Sequence, residues 1–378
     1  MIQTAPLSLG FIGGSITSAV GQTHQIASQM DRRWALVAGC FSRDAEHNQD
    51  TAEHCGINSK RRYDNWNALL EKEQGHLDAV VVLTPTPNHS EIVIKALSLG
   101  YAVICEKALT TSVQQALEID NILKQKKGFL AITYNYSAYP MVRELQERIH
   151  KGILGNIQQI HIEMPQEGFI RLNSQGEPHT PQSWRLEDQD IPTISLDLGM
   201  HTHHLIAFLT GEKPLSVVAS QTNLGHFPNI IDNVMCMARY SNQLQCQMWY
   251  SKTALGHRNG LRIRLYGTLG SAEWYQLNPE ELIVCNNQGT REIIDRAAED
   301  ATLSSELRYN RFKAGHPSGF IEAFANLYTD IADALINFKQ NNKTPARFIY
   351  GIDHAIEGCR LFEAVNQSSN THQWVDIE

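Results

Sequence analysis

The alternation of short apolar runs with amphipathic stretches through residues 1–150 constrains this chain more than any other feature. Runs at 7–12, 34–41, 79–83, 102–105 and 129–134 read as strands, and the stretches between them carry helical periodicity. Strand-helix alternation of this kind predicts an α/β fold built on a doubly wound parallel sheet. One helix is well marked: residues 91–99 carry Ile92, Val93, Ala96 and Leu97 on a stripe and stop at Gly100, which suits a left-handed C-cap.

Beyond Lys151-Gly-Ile-Leu-Gly155 the pattern changes to strands in series, at 157–163, 215–222, 233–239, 243–251, 261–266 and 272–275. Successive strands without helices between them predict a large, mainly antiparallel sheet. Helices are expected over 319–338 and 349–363. A chain of 378 residues suggests two domains, which the change of pattern places at 1–150 and 151–378.

With 32 basic against 40 acidic residues the net charge is −8, so no basic face serves a nucleic-acid backbone. Seven cysteines lie mostly within apolar runs with no CxxC pair, the usage of a reduced compartment. The start, Met1-Ile-Gln-Thr-Ala-Pro6, has no basic region followed by an apolar stretch, and no segment reaches the roughly 18 apolar residues that span a bilayer. The expectation is a soluble, cytoplasmic protein without nucleic-acid or membrane partners.

The first strand leads into Gly10-Phe-Ile-Gly13-Gly14-Ser15-Ile-Thr-Ser18-Ala-Val-Gly21-Gln-Thr-His24. Gly13, Gly14, Ser15 and Ser18 are candidates for holding a dinucleotide pyrophosphate. Ser15 and Ser18 stand in the second and third glycine places when counting starts at Gly13. The plainer reading is an ordinary strand-helix turn. After the second strand, Ser42 occupies the place where an NAD site usually carries an acid, and Arg43 can accommodate the 2′-phosphate of NADP. This favours NADP slightly, while Asp44 keeps NAD in play. Thr84, Pro85, Asn88 and His89 form a stiff loop that can line the nicotinamide side of a cofactor cleft, or simply a turn capped by Asn88.

Glu106 and Lys107 follow the buried run 101–105, at the strand end where an open α/β sheet binds ligands. Asp197 and His201, at i and i+4 before an apolar segment, can share one helical face. A lysine, an aspartate and a histidine can together move a proton while another group takes a hydride. Lone readings are a surface lysine for Lys107 and a helix N-cap for Asp197.

The glycine-rich turn, the Thr84-Pro85-x-x-Asn88-His89 loop, Glu106-Lys107, Gly152-x-x-Gly155-x-Ile157, Trp184-Arg185 and Asp197-x-Gly199-x-His201 occur in the order found in the Gfo/Idh/MocA oxidoreductases. The chain resembles that family along nearly its whole length. The resemblance implies a Rossmann domain followed by an α/β domain whose open sheet often forms the subunit interface, giving a homodimer or homotetramer. It also implies hydride transfer between a nicotinamide and a hydroxyl-bearing carbon of a sugar or cyclitol. In that mapping Lys107 is the lysine of a Glu-Lys-Pro motif, Asp197 orients the substrate and His201 transfers the proton. Ala108 stands where the family has proline, which removes a rigid peptide link of the kind that can be cis. Ser137 replaces a frequent arginine, and His204 stands where an acid or asparagine is common.

Trp184, Arg185, His204 and His316 are further candidates for the sugar side, tryptophan as an apolar platform and the others as donors. Two alternatives stand beside the dehydrogenase reading. One is a metal-dependent hydrolase or isomerase that uses the His201 and His204 cluster, since imidazoles at i and i+3 can bind zinc. The other is a sensor that binds cofactor without turnover.

Overall fold

The computed structural model describes residues 5–341 and 346–378, so the first four residues read for a targeting signal lie outside it. The first elements in the chain are β1 (Leu7–Gly13), α1 (Ala19–Met30), β2 (Trp34–Cys40), α2 (Ala45–His54), α3 (Trp66–Lys72) and β3 (Ala79–Leu83). They continue with α4 (His89–Ser98), β4 (Ala102–Cys105), α5 (Val113–Lys126) and β5 (Leu130–Ile132). Next come α6 (Pro140–His150), β6 (Ile157–Pro165), α7 (Met200–Thr210), β7 (Pro214–Thr222), β8 (Asn233–Tyr240) and β9 (Gln245–Ser251). They are followed by β10 (Arg262–Gly267), β11 (Gly270–Tyr275), β12 (Leu282–Asn286) and β13 (Arg291–Ile294). The chain closes with α8 (Phe320–Lys339), α9 (Ile352–Thr371) and β14 (Val375–Asp376). No described helix is long and apolar enough to cross a membrane.

The chain divides into two compact units. Of the described residues the first gathers 5–110, 114–138, 320–341 and 346–355. A reading that gives 151–378 to one domain does not contain this return of α8 to the first unit. Its five strands are all parallel, in the order β2-β1-β3-β4-β5. Both faces are covered, so β3 and β4 are continuous apolar runs: Val80, Val81, Val82, Val103, Ile104 and Cys105 are fully buried. Each such aliphatic side chain contributes about 1.5–3 kcal/mol by leaving water. The expected stop of α4 takes the form of a Schellman cap. Gly100 has φ +86°, and the amides of Gly100 and Tyr101 donate to the carbonyls of Leu97 and Ala96 at 3.0 and 3.1 Å.

The second unit holds a nine-stranded sheet in the order β13-β12-β11-β10-β6-β9-β8-β7-β14. It is mainly antiparallel, but β6 and β9 pair in parallel, and β12 and β13 were not foreseen. In β8, Cys236, Ala238 and Tyr240 are buried, while Met235 and Met237 alternate with them and are each 55% exposed. One face of the sheet is therefore covered and the other is open. The covered face meets α7 and, through Phe362 against Tyr250, α9.

Candidate active site

In the first unit the strand order reverses between β1 and β3, and the crevice beyond the strand C-termini at such a point is where open α/β sheets bind ligands. Gly13 and Gly14 turn there with φ +85° and +78°, values that side chains with a Cβ rarely adopt. A Cβ on Gly13 would lie 2.9 Å from the Leu83 backbone at the end of β3, and one on Gly21 would lie 2.5 Å from the Gly14 carbonyl carbon. Gly21 is thus the glycine that brings α1 against the turn. Ser18, counted in the third glycine place, does different work: its hydroxyl caps α1 by accepting from the Gly21 amide at 3.1 Å. The count fails because the loop carries three extra residues before the close contact. The Ser15 carbonyl accepts from the Ser18 amide at 2.8 Å, which closes the turn.

At the end of β2, Arg43 is exposed. The Ser42 hydroxyl accepts from the Asp44 amide at 3.1 Å, and the Asp44 carboxylate caps α2 by accepting from the His47 amide at 2.8 Å. At the end of β3, Thr84 and Pro85 start the loop, and the Asn88 amide donates to the Pro85 carbonyl at 2.9 Å. Asn88 precedes α4 without a side-chain capping bond. His89 is buried rather than facing a cleft. Its Nε2 lies 2.6 Å from the Thr84 carbonyl and its Nδ1 2.9 Å from the Ala108 carbonyl, so it ties this loop to the lysine turn. Burial pulls its pKa below the ordinary value, against the opposing pull of those carbonyls and of Glu106.

The lysine turn leaves β4. The Glu106 amide donates to the Val82 carbonyl at 3.0 Å, and the Thr133 amide to the Cys105 carbonyl at 3.0 Å, fixing the strand end from both sides. Lys107 is half-buried, and the Lys107–Ala108 peptide is cis. The cis link is therefore present with alanine at 108, contrary to the expectation that it would be lost with proline. The Glu106 carboxylate is buried against the His24 Nε2 at 3.0 Å and the Thr133 hydroxyl. Burial pushes this carboxyl up. The hydrogen bond and charge of His24, with Lys107 and Thr133, outweigh that and hold it below the usual range.

In the second unit, Asp197 sits in a π-helical turn, Ser195–Gly199, that leads into α7, with the Met200 amide donating to the Ser195 carbonyl. Gly199 lets this turn pack against α9, since a Cβ there would lie 2.8 Å from the Phe362 ring. One oxygen of Asp197 accepts from both the Arg185 Nη1 and the Lys252 Nζ, each at 2.6 Å. Arg185 stacks over Trp184 at 4.3 Å, and Lys252 over Phe169 at 5.2 Å. Arg185, Trp184 and Asp197 are thus brought together. Lys252 was missed; its only signal is its place directly after β9.

The three imidazoles diverge. His201 is 5% exposed, His204 packs on Phe208 at 6.0 Å between rings, and His203 meets Glu357 at 3.3 Å and the Tyr240 hydroxyl at 3.4 Å. Among the described residues no group of three metal-ligating side chains includes His201 or His204. His316 is exposed, its ring on Phe312 and its carbonyl accepting from Arg296 at 3.0 Å.

Comparison with known proteins agrees with this architecture. Residues 7–134 match the oxidoreductase family with an NAD-binding Rossmann fold, and residues 142–273 match the GFO/IDH/MocA C-terminal domain. The uncharacterized oxidoreductase YfiI of Bacillus subtilis (strain 168) is 28% identical over 100% of this chain and 98% of its own length. Levoglucosan dehydrogenase of Pseudarthrobacter phenanthrenivorans is 23% identical over 98% of each. The crystal structure of an inositol dehydrogenase homolog from Azotobacter vinelandii, complexed with NADH and myo-inositol, superimposes with a TM-score of 0.89 at 26% identity, covering 99% of this chain and 98% of that one. With a glycine turn at the β1–β3 switch point and both family domains matched in sequence, the chain belongs to the GFO/IDH/MocA oxidoreductases, enzymes with an NAD-binding Rossmann fold.

Proposed function

We propose that this enzyme oxidises a secondary hydroxyl of a sugar, sugar derivative or inositol, or reduces the corresponding carbonyl, with NADP or NAD, NADP being slightly favoured. The observation that carries the reading is the cradle at the β1–β3 switch point. Gly13 and Gly14 turn at positive φ against Leu83, and Gly21 packs on Gly14, so the turn and the start of α1 are held tight at the strand ends, where backbone amides can approach a pyrophosphate. The cofactor, when bound, supplies the nicotinamide that accepts or donates the hydride. Ser15 and the cap of Ser18 face Thr84, Pro85 and Asn88 as the other wall, which the buried His89 braces from behind through the Thr84 carbonyl. The cofactor preference rests on Arg43, which is exposed at the end of β2, while the Asp44 carboxylate is committed to capping α2.

Substrate chemistry falls to Lys107, Asp197 and His201. His201 takes the hydroxyl proton, Lys107 stabilises the developing alkoxide, and Asp197 orients the substrate from between Arg185 and Lys252. Trp184 offers an apolar platform for a ring, and Arg185, His204 and His316 are the remaining substrate-side donors. A second copy of the chain covers the open face of the nine-stranded sheet. The names of the relatives support a polyhydroxylated ring: one acts on levoglucosan and a solved neighbour holds myo-inositol. The test is fluorescence titration with NADPH and NADH, followed by a screen of sugars and inositols with wild type and Lys107→Ala. Wild type should bind one cofactor saturably and turn over a member of the panel. The variant should bind the cofactor with unchanged affinity and lose about 10²–10⁴-fold in kcat. An unaffected rate in Lys107→Ala would remove the lysine from the mechanism.

A further inference from the structure

The fold gives Glu106 a buried setting that hydride transfer does not by itself require. His24, on the second turn of α1, is fully buried and places its Nε2 3.0 Å from a Glu106 carboxylate oxygen. Its Nδ1 lies 2.7 Å from the hydroxyl of Tyr328 on α8, itself 1% exposed. Thr133, after β5, donates to the same Glu106 oxygen. The Tyr328 backbone is in turn anchored, because the Trp34 indole donates to its carbonyl at 2.8 Å. With the Tyr328 hydroxyl donating to Nδ1, Nε2 is the His24 donor to the Glu106 carboxylate, so the tyrosine fixes which ring nitrogen faces the acid.

We propose that Tyr328 and His24 form a positioning relay that fixes the Glu106 carboxylate and, through it, the orientation of Lys107. It rests on the assignment of Lys107 to the chemistry above. Two features give it direction. His24 lies three residues after Gly21, the residue that seats α1 on the glycine turn, so one helix braces the cofactor cradle and the lysine strand end together. Glu106 also precedes Lys107 in the chain, and their charges attract. The other ionisable groups that sense Glu106 are His89, which its charge favours in the protonated form, and the buried thiol of Cys105 and phenol of Tyr328, both of which it disfavours ionising. With His24 unable to donate, burial of the carboxyl prevails and Glu106 takes up a proton at higher pH. The negative charge beside Lys107 is then lost.

The experiment follows Glu106 directly and through turnover. In protein labelled with 13C at the glutamate carboxyls, the Glu106 signal is assigned by its absence in Glu106→Gln. It is then titrated in wild type, His24→Phe, His24→Gln and Tyr328→Phe, each checked for folding by circular dichroism. The relay predicts a signal that titrates below the usual carboxylate range in wild type and at higher pH in His24→Phe. The shift should be smaller in Tyr328→Phe, where only the tautomer lock is lost, and His24→Gln, which keeps a donor amide, should restore part of the wild-type position. The acid limb of the kcat profile should move in the same direction and order. A Glu106 signal that stays put in the folded variants overturns the relay, as does an acid limb that stays put while the signal moves. Tyr328→Phe, which removes a single oxygen, decides the matter if His24→Phe does not fold. Full activity in Lys107→Ala would fail the underlying assignment and leave the Glu106 titration as a separate result.

Discussion

A single methyl group distinguishes the glycines of the first unit. At Gly21 an added Cβ would sit 2.5 Å from the Gly14 carbonyl carbon, so backbone must move. At Gly100 nothing lies within 4 Å, and the only obstacle is a φ of +86°. Gly21→Ala should therefore destabilise by about 1–3 kcal/mol through overpacking and also weaken dinucleotide binding, because the displaced backbone is the cradle. Gly100→Ala should lose only about 1–2 kcal/mol for its left-handed conformation and keep its cofactor affinity. Thermal melts and NADPH titration of the two variants separate the effects; equal cofactor affinity in both would remove the cradle from the Gly21 region. The sequence shows the glycines but not which of them makes the contact, since counting from Gly13 lands on Ser18 and the loop is longer than the count assumes. Arg185, Trp184 and Asp197 were legible because they lie within a short stretch of chain. Lys252 was not, because its approach to Asp197 depends on where β9 ends.

The elements of the first unit were legible because parallel strands buried on both faces are continuous apolar runs, which need no knowledge of their partners. In the second unit β12 and β13 carry little signal, because they are short, half-exposed strands joined by the polar turn Asn287-Gln288-Gly289. The parallel pairing of β6 with β9 was equally out of reach, since it joins strands distant in the chain. A long-range dependence of the same kind governs residues 302–304, which have little regular structure of their own. The Glu144 carboxylate on α6 accepts from the amides of Thr302, Leu303 and Ser304 at 3.1, 2.9 and 3.1 Å, and from Arg148 at 3.1 Å. Glu144→Ala strands three amides and leaves the buried Arg148 guanidinium with Asp300 in place of two carboxylates. It should destabilise by about 3–5 kcal/mol in denaturant unfolding, and Glu144→Gln, which keeps one acceptor oxygen, by less. A neutral Glu144→Ala would mean that the segment is held by its other contacts.

For the molecule as a whole, stability against pH should fall in two steps below neutrality. His89 has its pKa lowered by burial, so the unfolded chain takes up that proton first and stability declines as pH falls below about 6.5. At Glu73, Asp78 and Glu106 burial pushes the carboxyls up. It is outweighed respectively by Arg61 with Tyr63, by Lys339 with Ser8, and by His24. Their contribution is present above about pH 4 and is lost as pH falls through their lower folded values; Asp232, raised by burial, works the other way. Melting temperatures from pH 8 to pH 3 should show both declines, and the first should shrink in His89→Gln; an unchanged first step would assign it to other histidines. In the open sheet the register pairs Met237 with Val218, Met235 with Trp249, and Ile283 with Ile293, so these side chains share the face that carries Tyr266. Met235, Met237, Tyr266 and Ile293 are 55%, 55%, 40% and 64% exposed. Apolar groups repeated across an uncovered sheet favour a partner of the same flat shape, and a second copy of the sheet supplies one with a two-fold axis. A stable interface there needs about 1,200–2,000 Å² of buried surface, which the central strands can provide only if both methionine positions pack. Wild type should therefore sediment as a dimer or tetramer, and Met235→Glu with Met237→Glu should shift it to monomer, because each interface would then bury four carboxylates without partners. The double variant should keep its fold, since both residues already face solvent in the single chain. A monomeric wild type, or an oligomer indifferent to the two glutamates, would move the subunit contact away from this face.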